Sequence, residues 1–173
     1  MKRCPSCGEG RLRKGTARHS LAVGGHRFGG SLPALVCATC EESFVSAQHL
    51  GTFELGAAMM LASSGQASPD VFRFMRKTVG LRAADLAELL DVKPETVSRW
   101  ENGHLPVEGR AFALLAGIVR DRLGAAAGDQ FTGRDDTEAL LRAVRKPAKV
   151  RRAVKLGGVS VRSSPDRAAA ASR

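Results

Sequence analysis

The apolar positions divide the chain into stretches of different period. From Ser46 to Leu61, Leu50, Phe53, Ala57 and Leu61 recur at helical spacing behind Ser46, a residue type that caps helix N-termini. From Pro69 onward the pattern predicts four short amphipathic helices. Ser68-Pro69-Asp70 is a start signal, Phe72, Met75 and Val79 form an i, i+3, i+7 stripe, and Gly80 ends the first helix. Ala83 to Leu90 is the second, with Leu86, Leu89 and Leu90 as its buried face. Asp91-Val92-Lys93 reads as a tight turn, Asp being one of the few non-glycine residues that tolerate left-handed backbone. Pro94 opens a third helix that runs to about Asn102 and is closed by Gly103. In it Val97 and Trp100 point inward, and Glu95, Ser98, Arg99 and Asn102 fall on the opposite side. A fourth helix from about Val107 packs through Ala111, Leu114, Leu115, Ile118 and Leu123. Before Ser46 there is no helical period, only glycines and short strand-like runs such as Ala34-Leu35-Val36.

Polar stretches set the boundaries. Ser63-Ser-Gly-Gln-Ala-Ser68 has the composition of a flexible linker. Beyond about Gly128 the pattern thins, with one further helical stretch over Thr137–Val144 before a Lys/Arg-rich and then Ala/Ser/Arg-rich end. The expected division is a cysteine-bearing module at 1–45, a connector helix and linker at 46–67, a helical domain at 68–127 and a basic, largely disordered tail at 128–173. The expected fold class is mainly α: a small α+β module linked to an all-α domain. Charge sharpens this division. The 173 residues carry a net +10, yet residues 1–141 hold 17 Lys/Arg against 16 Asp/Glu, and residues 142–173 hold 10 against 1. The basicity therefore belongs to the tail, which reads as a solvated or non-specific polyanion-binding arm. The longest apolar stretch, near Gly56 to Ala62, is well short of the roughly 20 residues that span a membrane. Met1-Lys-Arg-Cys4 is not followed by the apolar core of a signal peptide. A cytoplasmic protein with no membrane partner is expected.

Cys4-Pro-Ser-Cys7-Gly8 and Cys37-Ala-Thr-Cys40 are two C-x-x-C pairs with 29 residues between them. Each pair places two thiolates on one side of a tight knuckle, and two knuckles supply a tetrahedral set of four. Gly8 suits the sharp turn after the second cysteine. No cysteine is left over, which favours a closed structural zinc site. Two disulfides would suit an oxidising compartment instead, and a thioredoxin-like redox motif needs a βαβ context missing here. An iron site of the rubredoxin kind uses the same four ligands, and His19 or His26 would be needed only if a thiol were absent from the shell. So short a module, with few large apolar groups, is expected to fold only with its metal, so that chelation unfolds residues 1–45 and leaves the later helices intact.

Leu81-Arg-Ala-Ala-Asp-Leu-Ala-Glu-Leu-Leu-Asp-Val-Lys-Pro-Glu-Thr-Val-Ser-Arg-Trp-Glu-Asn-Gly103 resembles the Cro/phage-repressor (XRE) helix-turn-helix. The resemblance implies double-stranded DNA as a partner, with the third helix laid in the major groove. Arg76 and Glu101 sit where the family carries a buried ion pair bracing the first helix against the third. Glu95 and Arg99 hold its main base-reading positions, and Ser98 or Thr96 would bond a base edge or a phosphate. The family's phosphate-binding Gln is replaced by Ala83, which leaves Arg82 beside it as the phosphate ligand. Lys93, Arg76 and Lys77 complete the implied set of backbone contacts.

Taken together, a Cys4 module, a connector helix and an XRE motif in this order resemble MqsA-family antitoxins with a YgiT-type zinc finger, over roughly residues 3–123. That resemblance implies a zinc-loaded module that binds a toxin protein and a homodimer that represses its own operon from a palindromic operator. Two-fold pairing also follows from recognition physics, because one helix reads only a few base pairs. A stand-alone XRE regulator with a structural or metal-sensing zinc module is the alternative, and a zinc-ribbon adaptor of transcription or RNA machinery is a third reading. Neither a Ser/His/Asp grouping nor a phosphate-cradling glycine loop occurs, so no enzymatic activity is expected.

Overall fold

The computed structural model describes residues 3–127, 149–150, 152–156 and 158–165. Strand β1 (Leu12–Val23) and strand β2 (His26–Cys37) form a long antiparallel hairpin paired from Leu12↔Cys37 to Val23↔His26. Gly24 and Gly25, at φ 58° and 74°, make its two-residue turn; positive φ at both positions is what a turn matching the strand twist demands. The second edge of β2 is shared. Its C-terminal part pairs with β3 (Ser43–Val45) and its N-terminal part, His26–Gly29, with β5 (Val159–Pro165), which in turn pairs with β4 (Ala153–Leu156). The sheet order is β1-β2-β5-β4, all antiparallel.

Five helices follow or interrupt these strands among the described residues: α1 (Ala47–Ser64), α2 (Pro69–Thr78), α3 (Ala83–Leu89), α4 (Pro94–Glu101) and α5 (Gly109–Ala127). Ser46 caps α1, its hydroxyl accepting from the His49 amide at 3.2 Å. From Phe53 onward α1 is buried nearly all round, as expected of a helix apolar on every face. It packs on β2, β4 and β5 on one side and on α2 and α5 on the other. One buried cluster accordingly runs from Phe28 and Leu32 of β2 through Phe53 and Met60 to Phe72, Trp100 and Leu115.

These observations correct three expectations. The protein is not mainly α: a five-stranded antiparallel sheet stands beside the five helices. A hairpin signal of paired glycines between alternating runs, outside any helical period, accounts for most of that sheet. Ser63–Ser68 is not a flexible linker. Ser64 is buried and its hydroxyl donates to the Leu61 carbonyl at 2.7 Å, and Gln66 Oε1 lies 3.1 Å from His26 Nε2 at the hairpin tip. Nor is the basic tail unstructured throughout: Ala153–Leu156 and Val159–Pro165 form β4 and β5, and Leu156, Val159 and Val161 enter the core. Their alternating side chains bury one face while the other stays in solvent, which charge counting alone conceals. Gly30 shows how closely β5 approaches, since a Cβ there would stand 1.6 Å from the Ser160 carbonyl oxygen. The helical stretch expected over Thr137–Val144 lies outside the described residues.

Candidate metal centre and nucleic-acid interface

The two knuckles meet where the hairpin ends. Cys4 and Cys7 precede β1, while Cys37 closes β2 and Cys40 follows it. The Cys4 amide donates to the Gly10 carbonyl at 2.8 Å and the Gly8 amide to the Cys4 carbonyl at 2.9 Å, closing the first knuckle. Gly8 takes φ 74° there. All four Sγ atoms lie within 4.8 Å of one another, with Cys4–Cys40 and Cys7–Cys37 each at 3.7 Å. Thiolates around a tetrahedral ion with bonds of about 2.3 Å sit about 3.8 Å apart, so the spacing fits one ion, and it is far beyond the roughly 2 Å of a disulfide. The four cysteines are free thiols positioned to hold a single metal ion.

Backbone amides prepare the site for negative sulfur. Gly10 donates to Cys7 Sγ at 3.4 Å, and Thr39 and Cys40 donate to Cys37 Sγ at 3.4 and 3.5 Å. Amide bonds from Cys40 and Thr39 pull the Cys37 thiol down to about 6, and those from Gly10 and Glu9 lower Cys7. At Cys40 an amide from Glu42 acts in the same direction, but burial and the neighbouring thiols outweigh it and push the group up to about 12. Four adjacent thiols cannot all ionise without a cation among them. The histidines stay outside this cluster: His19 packs edge-on against Phe53 at 5.0 Å, and His26 pairs with Gln66.

The second site is built on α2–α5. Ser68 caps α2, accepting from the Val71 amide at 3.4 Å, with Pro69 and Asp70 in the first turn. Asp91 takes φ 51° in the turn between α3 and α4, so the chain reverses within a few residues. Val97 and Trp100 anchor α4, the indole meeting Phe72 edge-on at 5.8 Å. With that face buried, Lys93, Glu95, Ser98 and Arg99 are exposed and Thr96 is half-buried. The Arg99 guanidinium has no hydrogen-bond or ion-pair partner among the described residues.

Arg76 and Glu101 form a two-pronged ion pair, Nε to Oε1 at 2.5 Å and Nη2 to Oε2 at 2.9 Å. The third prong of Arg76, Nη1, donates to the Leu81 carbonyl at 2.7 Å. Each of its three nitrogens is therefore engaged, and at 8% exposure Arg76 is a brace between α2 and α4 and not the phosphate ligand also expected of it. Burial is the reason: the side chain points into the protein, whereas neighbouring Lys77 is exposed. Arg73 adds a contact that no sequence signal announced, donating to Asn102 Oδ1 at 2.5 Å and standing 3.6 Å from Glu101 Oε2. Arg82, at the start of α3, is exposed but its guanidinium is held by Asp85 at 2.6 Å, whose carboxyl it lowers. A phosphate would have to displace that carboxylate. Leu89 and Leu114, expected in the core, are 56% and 43% exposed. Leu114 is one position out of phase with the buried Leu115, and Leu89, at the last residue of α3, extends past the cluster that buries Leu86.

No helix among the described residues is long and apolar enough to cross a membrane. No curated protein matches the chain. Residues 72–116 match the helix-turn-helix family model HTH_3, and with α4 braced and turned outward as above, this chain carries an XRE-type helix-turn-helix domain from α2 into α5.

Proposed function

We propose that the protein is a non-enzymatic, sequence-specific DNA-binding autorepressor, the antitoxin of a toxin–antitoxin pair, whose Cys4 module holds zinc. The observation that carries the DNA reading is α4 itself. Val97 and Trp100 fix it from behind while Arg99 and Glu95 project into solvent beside Ser98, whose hydroxyl accepts from Asn102 Nδ2 at 3.2 Å, the arrangement a major-groove reader needs. Zinc is the metal that a closed set of four thiolates on two knuckles suits best. The antitoxin assignment rests on the order of the parts, cysteine knuckles ahead of an XRE domain. The exposed Leu114 on α5 supplies apolar surface for the homodimer that a palindromic operator calls for.

The test is binding to DNA from upstream of its own coding sequence. Arg99→Ala is expected to weaken binding to the operator by about 5- to 150-fold, the 1–3 kcal/mol of one bidentate base contact, and to relax preference at a single position. Affinity for random duplex should stay unchanged. Equal losses on both would remove Arg99 as a reader. Co-purification of a small ribonuclease encoded beside the gene would separate the antitoxin from its alternative. That alternative, a stand-alone regulator with a structural or metal-sensing module, is favoured by one observation. The buried cluster is continuous from Phe28 and Leu32 of the hairpin through α1 to Trp100, so the hairpin that carries the cysteines at its far end packs into the same interior as the reader.

A further inference from the structure

The five strands contain six Lys or Arg residues and no Asp or Glu. The register sorts most of them onto one side. Phe28, Leu32, Val159 and Val161 face the helices. The alternate positions, Arg18 opposite Ser31, Ser20 opposite Gly29, Arg27 opposite Ser164, and Arg162 opposite Gly29, face away from them. Arg18, Arg27, Lys155 and Arg162 are all exposed. Arg18, Lys155 and Arg162 have no ion-pair partner among the described residues. Arg18, Arg27 and Arg162 line an open groove of about 880 Å³ whose floor is glycine and serine.

We infer that this outer sheet face is a second nucleic-acid contact, separate from α4, that binds the phosphate backbone of duplex DNA without reading sequence. With strands about 4.8 Å apart and residues about 3.3 Å apart, the Cα atoms of Arg18, Arg27 and Arg162 form a triangle with sides of about 8–14 Å, wide enough to engage several phosphates. Gly29 lets a sugar–phosphate chain approach the sheet closely, and the surrounding serine hydroxyls are phosphate donors of the kind that position a protein on a duplex. The basic groove carries no aromatic side chain besides His19, whose ring is turned inward against Phe53. Bases therefore have no stacking platform here, which separates this face from the aromatic sheets that bind single strands. The residues come from both ends of the sequence: Lys155 and Arg162 are tail cations that only the fold brings beside Arg18.

The test uses the full-length, zinc-loaded protein in an Arg99→Ala background, on a short random-sequence duplex, so that its outcome does not depend on the operator reading. Arg18→Gln with Arg162→Gln is expected to lower the log–log salt slope of binding by about 2, one for each phosphate no longer neutralised. Arg18→Lys with Arg162→Lys should retain the parental slope, which separates charge from any effect on folding. An unchanged slope in the glutamine variant would overturn the inference. So would an equal loss on single-stranded DNA, or loss of binding to polyglutamate with duplex binding intact, which would make the face a dock for an acidic polypeptide.

Discussion

Glu101→Ala should lower the unfolding free energy by about 3–5 kcal/mol, the range seen when one partner of a buried ion pair is removed. Glu101 is 7% exposed and accepts from two prongs of Arg76. Its carboxylate raises the Arg76 guanidinium's affinity for its proton against the opposing effect of burial; without that carboxylate the guanidinium still stays charged, because an arginine side chain does not deprotonate in proteins. Without Glu101, that charge has only the Leu81 carbonyl for company. Arg73 is 39% exposed at its side chain and can turn to water. Replacing both members, as Arg76→Met with Glu101→Leu, is expected to cost far less than either single change, because no charge is then left without a partner. Urea unfolding of the three variants measures this. A loss below about 1 kcal/mol for Glu101→Ala would show that the pair is dispensable to stability. Because the pair joins α2 to the last turn of α4, operator binding should also fall in Glu101→Ala under conditions where the protein remains folded.

Chelation is the second large perturbation, and the structure changes what it should do. A metal-dependent module standing alone would unfold over residues 1–45. Here the far half of the hairpin is tied down independently: Phe28 and Leu32 are fully buried, β5 pairs with His26–Gly29, and the tip packs near Val71. Stripping the metal should therefore collapse the amide dispersion of residues 3–11 and 37–43 while residues 19–32 keep theirs. Structural zinc sites are worth about 10–16 kcal/mol in isolated fingers, so the knuckles have nothing of comparable size to replace it. Two-dimensional NMR before and after chelation distinguishes the cases. Loss of the whole sheet would mean that the metal supports the hairpin tip as well, and unchanged spectra would mean that the knuckles fold without it.

The helix-turn-helix was legible because its signals are local. Ser68-Pro69 starts α2, Asp91 turns, Pro94 starts α4 and Gly103 ends it, and each acts over a few residues. The cysteine cluster was legible for the same reason, with two knuckles announcing themselves by spacing. The sheet was harder to read. Gly24-Gly25 between runs that alternate through His19, Leu21 and Val23 and then His26 and Phe28 is a hairpin signal, but the inner face mixes histidine and glycine with apolar residues and blurs the alternation. In the tail, Val154-Lys-Leu-Gly-Gly-Val-Ser-Val-Arg162 repeats that signal amid arginines, and net charge obscured it. Leu89 and Leu114 show the converse: a leucine in an amphipathic helix need not face the core, and only the packing of α3 and α5 decides.

The pairing of β5 with β2 joins residues as distant as Ser164 and Arg27, 137 positions apart. On the ribosome the hairpin and α2–α5 are synthesised well before β5 emerges, and contacts of such long range are slow to form. Until β5 arrives, the His26–Gly29 part of one edge of β2 stands open beside the bulky Phe28, a template for any passing strand. A nascent or truncated chain would thus be the aggregation-prone and protease-sensitive form, and loss of β5 would be felt first in the hairpin, far upstream in the sequence.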